Sequence, residues 1–467
     1  MKSMKMRGIA AAVTGALLFG FGANAMADSS VDIVNALVAK GVLTEEEGDL
    51  ITKGAKEEKA ANAKAIKKAG KLTVSDAIDN ATVYGDIRVR HETRWASDAS
   101  TANAKGDYTR NRERYKITLG VKTESDKGNW YSDLAFAMGK AGRSDNATFG
   151  GDGNASQGAS GTVDSGKESL FVKRAMVGFK ATDWLSLEAG RIANPLYTTE
   201  MVWDKDLTLD GATAKVNYQM GDSKLFFTGV AAQYRGDDKQ YTLGKGVNNA
   251  STNNVFMGQA GFETPITAQL KGKAAVTFYK YGSNKAAGIF APAAATAALG
   301  GSVTGTNNLD IIEVPAELNY KLSDTNSFKL YGDWVVNTDA DARAKAAGDV
   351  SSAKNDDTAW LIGLAYTNQA GKKPAEGDYN AKVWYQETGL YALDPNAVDS
   401  DFFDSKINVK GAVFKAEYLA YDNVFVNFAY GHGTRMNSAA QTAGVAGDTG
   451  YNMKSFDLLQ LDLTYKF

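Results

Sequence analysis

The sequence predicts an all-β transmembrane barrel of about sixteen antiparallel strands, with fourteen to eighteen as its bounds, preceded by a short N-terminal helical periplasmic segment. Three observations predict it. From Thr82 onward, segments of about ten residues alternate apolar and polar side chains. The connections between them are alternately short and long. After residue 27 no run of about 18 apolar residues occurs, so a membrane helix is excluded while a barrel is not.

The N-terminus comes first. Lys2, Lys5 and Arg7 precede the apolar run Gly8 to Gly22, and Ala25-Met26-Ala27 follows. A charged head, an apolar middle and an A-x-A site predict an export signal over 1–27, cleaved before Asp28. Its removal takes three cations and no acids, so the net charge of −2 falls to −5. That sign disfavours nucleic acid as a partner.

Residues 28–80 form the predicted helical periplasmic arm and linker. VDIVNALVAK (31–40) suits a short helix ended by Gly41. Thr44 and Glu47 have capping-box spacing and open a second helix that stops near Gly70. Leu50, Ile51, Ala55 and Ile66 make only a thin apolar stripe, suited to a solvated spacer more than to a coiled-coil arm.

The barrel is expected over 81–467, with strands at 82–95, 108–123, 129–140, 168–180, 183–191, 209–220, 224–235, 254–263, 272–282, 308–321, 327–338, 358–368, 378–388, 406–420, 423–432 and 454–467. Short turns include 124–129, 181–183, 221–223, 323–327 and 422–423. Long Gly/Ala/Asn/Ser-rich connections occupy 141–167, 236–253, 283–307, 339–357, 389–405 and 433–453. Membrane barrels turn tightly on the periplasmic side and carry long extracellular loops.

The first two strands hold the main charged feature. Arg88, Arg90 and Arg94 share one parity, opposite to Val83, Ile87 and Val89. Arg110, Arg112, Arg114 and Lys116 likewise oppose Tyr115, Ile117, Leu119 and Val121. In a hairpin these cations would form one pore-lining basic wall. Facing like charges repel, so the wall needs compensation from Asp86, Glu92, Glu113, water or a passing anion. Arg110 and Arg112 are expected near the extracellular rim, where lipopolysaccharide competes for them. The last segment sets Leu459, Leu461, Leu463, Tyr465 and Phe467 against Gln460, Asp462, Thr464 and Lys466.

One stretch goes beyond architecture. GRIANPLYTTEMVWDKDLTLDGATAKVNY, Gly190 to Tyr218, resembles the Gly-Arg…Asn-Pro…Trp-Asp…Asp-Leu…Gly segment of a family of Gram-negative outer-membrane porins. LVAKGVLTEEEGDLI in the arm resembles the same family. The resemblance implies an outer-membrane barrel passing small hydrophilic solutes and ions, with trimers as in sixteen-stranded porins. By strand count the stretch follows the fifth strand, and in such porins that loop folds inward. Glu200, Asp204, Asp206 and Asp210 would then be constriction acids, with Tyr197 and Trp203 to pack the loop. The aromatic end, Tyr465 and Phe467, resembles the C-terminal signal that the barrel assembly machinery recognises.

The expected function is a passive channel with an anion bias as a hypothesis. The competing readings are a structural barrel tethering the envelope through its arm, and a barrel enzyme. Cysteine is absent and histidine is limited to His91 and His432, which disfavours thiol chemistry, histidine metal sites and His-based catalysis. His91 shares the parity of the lipid-facing Val89, and His432 lies at a loop edge. No cofactor or metal is expected.

Overall fold

The computed structural model describes residues 44, 53, 78–101, 104–138, 144–149, 170–233, 254–282, 306, 308–346, 356–371, 373–399, 401–402, 407–436 and 454–467. The chain divides into two units, Met1–Val74 and Ser75–Phe467. The expected signal and nearly all of the expected arm lie outside the described residues; Ile78 to Asn80, placed in the linker by sequence, already belong to a strand.

In the second unit the strands are β1 (Ile78–Thr101), β2 (Ala104–Ser125), β3 (Trp130–Met138), β4 (Ala147–Thr148), β5 (Leu170–Lys180), β6 (Leu185–Ala193), β7 (Thr208–Met220), β8 (Ser223–Gln233) and β9 (Asn254–Pro265). They continue with β10 (Leu270–Tyr281), β11 (Asp310–Lys321), β12 (Asn326–Asn337), β13 (Thr358–Asn368), β14 (Tyr379–Thr388), β15 (Val409–Tyr421), β16 (Val424–Arg435) and β17 (Ser455–Lys466). One helix, α1 (Ala340–Ala346), lies between β12 and β13. The two-residue β4 pairs with the upper part of β2, while β3 pairs directly with β5. The other sixteen strands pair antiparallel in chain order, and β17 returns to β1. The chain is a closed sixteen-strand antiparallel barrel. Closure leaves no free edge, which a hydrocarbon surround demands because it cannot hydrogen-bond unpaired backbone.

The seam is closed to the last residue. Asp86↔Lys466 through Ser97↔Ser455 are in register, and the Gly85 N–H donates to the Phe467 carbonyl at 2.9 Å while the Phe467 N–H donates to Gly85 at 3.0 Å. Side chains alternate as the sequence predicts. Val83, Ile87, Val89, Leu119, Leu461 and Leu463 are exposed, whereas Arg90, Glu92, Arg94, Arg114, Gln460 and Asp462 are buried. Apolar residues outside and charges inside are the inverse of a water-soluble fold, and match a lipid-facing wall around a polar lumen.

Three features depart from the sequence reading. The β1–β2 hairpin is longer than the expected strands 82–95 and 108–123, being paired up to Thr101↔Ala104 with a register shift between Ala96 and Ala99. In β5 a register shift opposite Ala135/Phe136 adds one residue, so the consecutive Lys173 and Arg174 both reach inward acids, Asp145 and Asp133. Parity alone would send one of them outward.

The third departure decides the shape of the lumen. The β14–β15 connection, expected as an extracellular loop, buries Leu390, Tyr391, Leu393, Val398 and Phe402. They form one apolar cluster with Leu196, Met201, Val202 and Trp203 of the β6–β7 connection, with Ala340 and Ala344 of α1, and with wall residues Val230, Val255, Tyr279, Val335 and Trp384. Large apolar side chains each gain roughly 1.5–3 kcal/mol by leaving water, so this loop folds in. The β8–β14 side of the lumen is therefore filled.

Candidate functional site

The hairpin register builds the basic wall. Arg88 faces Lys116, Arg90 faces Arg114, Glu92 faces Arg112 and Arg94 faces Arg110. Adjacent cations are tolerated because buried acids are threaded between them. Glu92, 0% exposed, accepts from Arg94 Nε at 2.7 Å and Arg112 Nε at 2.6 Å, lies 3.7 Å from Arg114 Nη1, and accepts from Gln460 Nε2 at 3.1 Å. Asp462 of β17, directly opposite Arg90, accepts two bonds from it at 2.7 and 2.9 Å and lies 3.6 Å from Arg88.

Arg112 was expected at the rim; its bond to Glu92 places it in the interior network, because the hairpin continues well beyond it. Arg110 is exposed. Glu113 compensates nothing inside. It faces outward and meets His91 Nδ1 at 2.6 Å, while His432, within β16 and not at a loop edge, meets Asp457 at 2.8 Å. Both histidines thus stand on the opposite side of the wall from the lumen.

Across from the wall lies the packed insert. The β6–β7 connection crosses the lumen along a series of anchors. Tyr197 exchanges two backbone bonds with the Gln259 amide, at 2.9 and 2.8 Å. Thr198 Oγ1 donates to Glu313 at 2.5 Å and Thr199 Oγ1 to Asp333 at 2.6 Å. Glu200 then accepts from Lys382 at 2.7 Å and from Lys205 at 2.8 Å. Burial raises the Glu200 carboxyl, but Lys382, Lys205 and Lys415 overcome this and hold it well below the usual range.

The insert's two loops are joined by backbone bonds: Asp204 N–H to the Ala397 carbonyl at 2.6 Å and Asp399 N–H to Glu200 at 3.3 Å. From this edge Asp401 accepts from Arg90 at 3.0 Å, and Asp206 lies 3.7 Å from Lys173. Asp145, before β4, binds Lys173 and lies 3.7 Å from Lys116. Asp399 and Asp401 differ. Burial pushes Asp399 up to about 7, with Lys415 opposing and Asp401 and Asp204 reinforcing the rise. Burial also acts on Asp401, but Arg90 and Arg88 outweigh it and hold that carboxyl far below its usual value.

The fourth predicted acid is a correction. Asp210 lies within β7, not in the loop, and faces outward beside Arg191, which donates to it at 2.8 and 2.9 Å. The strand begins at Thr208, so the parity of β7 takes Asp210 out of the lumen. Sequence reading also missed Asp399, Asp401 and Asp145. For Asp399 and Asp401 the signal was the apolar pattern of LYALDPNAV, too many large side chains for a solvated loop; nothing local in the sequence marked Asp145.

A second tier lies nearer the short turns. Tyr84, Tyr131, Phe226 and Tyr331 lie against glycines of the neighbouring strands: Gly120, Gly178, Gly261 and Gly363. Each ring is met by a lysine, at 4.9 Å for Lys122, 5.7 Å for Lys180, 6.0 Å for Lys224 and 5.7 Å for Lys329. A glycine lets a neighbouring ring lie flat on the sheet, and the ring face attracts the ammonium. Only register pairs these residues, so no run of sequence shows them together.

Tyr465 and Phe467 face outward, their ring centroids 6.1 Å apart. Among the described residues no group of three or more His, Asp or Glu side chains has the spacing of a metal site.

Residues 85–300 match the model of a family described as "Putative porin". That range contains the Gly190–Tyr218 stretch, and the resemblance is borne out there. Similar solved structures include the high-pH form of OprB from Pseudomonas putida, at 11% identity over 83% of this chain and 94% of that chain, with a TM-score of 0.46. They also include the outer-membrane channel DcaP of Acinetobacter baumannii, at 11% identity over 85% and 99%, with a TM-score of 0.44. A mutant porin of Rh. blastica follows, at 12% identity over 83% and 100%, with a TM-score of 0.38. No curated protein matches the sequence. The family match and the closed barrel support a channel in the outer membrane, and point away from an enzyme.

Proposed function

We propose that the protein is a passive outer-membrane channel for small hydrophilic solutes and ions, biased toward anions by the β1–β2 wall. The observation that carries this reading is the wall itself. Arg88, Arg90, Arg94, Arg112, Arg114 and Lys116 line one side of a lumen whose other side is filled. Arg88 Nε and Arg114 Nε are buried without a hydrogen-bond acceptor. Such donors favour a passing anion, and the low-dielectric wall around them focuses the field.

Glu200, Asp204 and Asp206, with Asp399 and Asp401, supply the facing acidic edge and so a transverse field. Exposed Arg110 would meet anionic lipopolysaccharide groups. Export after cleavage of residues 1–27, recognition of Tyr465 and Phe467 by the barrel assembly machinery, and assembly as a homotrimer complete the same reading.

The test is planar-bilayer conductance under a salt gradient. Arg88→Gln, Arg90→Gln and Arg114→Gln together should move the reversal potential toward cations. An unmoved potential would remove the wall from selectivity, and a protein that never conducts would sink the channel.

A further inference from the structure

The lumen contains a cavity of about 550 Å³ between the constriction and the short turns, lined in part by Lys122, Arg174, Lys180, Lys215, Asp133 and Asn194. Its acids are already engaged. Asp133 accepts from Tyr84 at 2.5 Å and from Arg174 Nη1 at 2.8 Å. Glu188 accepts from Tyr131 at 2.8 Å and from Lys215, and Glu124 pairs with Lys180 at 2.7 Å. The donors are not all used. Arg174 Nε and Asn194 Nδ2 are buried without a hydrogen-bond acceptor. Lys122 is exposed, with the Tyr84 ring 4.9 Å away.

A buried donor without an acceptor is costly, and two of them beside one cavity call for a ligand that accepts. We propose that this cavity is a binding subsite for small carboxylate solutes, with Arg174 and Asn194 as its hydrogen-bonding residues and Lys122 as its charge. The planar guanidinium fork suits a carboxylate. Asn194 is the first residue of the inward loop, so a bound carboxylate would touch the constriction from below. A solute leaving the β1–β2 wall would meet the subsite as its next station. This inference deepens the channel reading and rests on it.

The test uses the full-length protein and potassium succinate. In planar bilayers, succinate added to a potassium chloride bath should block the current in a concentration-dependent way. Arg174→Gln should weaken the block about tenfold and Asn194→Ala severalfold, the usual effect of losing one hydrogen bond to a charged group. Chloride current in the same variants shows that the barrel is intact. Equilibrium dialysis of radiolabelled succinate against detergent-solubilised protein reads the same site without conduction. Equal binding by wild type and both variants, or none by wild type, overturns the subsite. Binding of inorganic phosphate but not succinate overturns the carboxylate assignment. A protein that binds succinate but carries no chloride current keeps the subsite and removes the channel reading.

Discussion

Glu92 is the residue whose removal tests the electrostatic design most directly. It is 0% exposed, accepts from Arg94 and Arg112 within 2.7 Å, and lies 3.7 Å from Arg114. Glu92→Gln keeps the shape and deletes one negative charge from among three guanidinium groups. Breaking a buried pair by losing one partner costs about 3–5 kcal/mol, so the folded barrel should unfold at lower urea. Selectivity should move the other way from stability.

An added unit of positive charge about 6 Å from a permeating ion is worth roughly 0.7 kcal/mol at the dielectric constant of water. Screening at about 0.1 M salt leaves roughly 0.4 kcal/mol. The effect has opposite signs for chloride and potassium, so their permeability ratio should rise about fourfold. Reversal potentials under a potassium chloride gradient measure this. A ratio that stays constant or falls would refute the claim that the wall controls permeation.

Other outcomes follow from the same structure. Asp399, pushed up to about 7 by burial, loses its negative charge as pH falls through neutrality. Anion preference should therefore increase from pH 8 to pH 6, and Asp399→Asn should abolish that change in bilayer recordings. Thr198→Val with Thr199→Val removes two bonds to Glu313 and Asp333, each worth about 1 kcal/mol. Single-channel traces should then show more frequent transitions between current levels. Gly190→Ala should prevent folding, read as loss of the heat-modifiable band on gels. Gly190 has φ +118, and a Cβ there would stand 2.2 Å from the Ala175 carbonyl oxygen. The Gly-Arg pair opening the family-like stretch is thus explained at its first residue by backbone alone.

Much of the barrel was legible because a strand's period is two and lipid enforces it. Every one of the sixteen predicted strands overlaps an observed one, since slipping by one residue would turn a whole charged face to hydrocarbon. Arg88, Arg90, Arg114 and Lys116 were read as inward for the same reason. Lys173 and Arg174 show where this logic stops, because the register shift is invisible to a parity count.

The site was legible on one side only. Local alternation determined the basic wall, the lipid-facing residues and the rhythm of turns and loops. It offered Glu92, which lies in the same hairpin, but not Asp462, which arrives by ring closure, or Asp401, which a loop folded inward supplies. Nor could it show that Asp210 leaves the lumen, or that Lys122 and Tyr84 meet over Gly120. Alternation is a property of neighbours along the chain, so sequence carries it. Charge compensation depends on distances between strands and loops far apart in sequence, and only closure of the barrel and collapse of its apolar loops fix those distances.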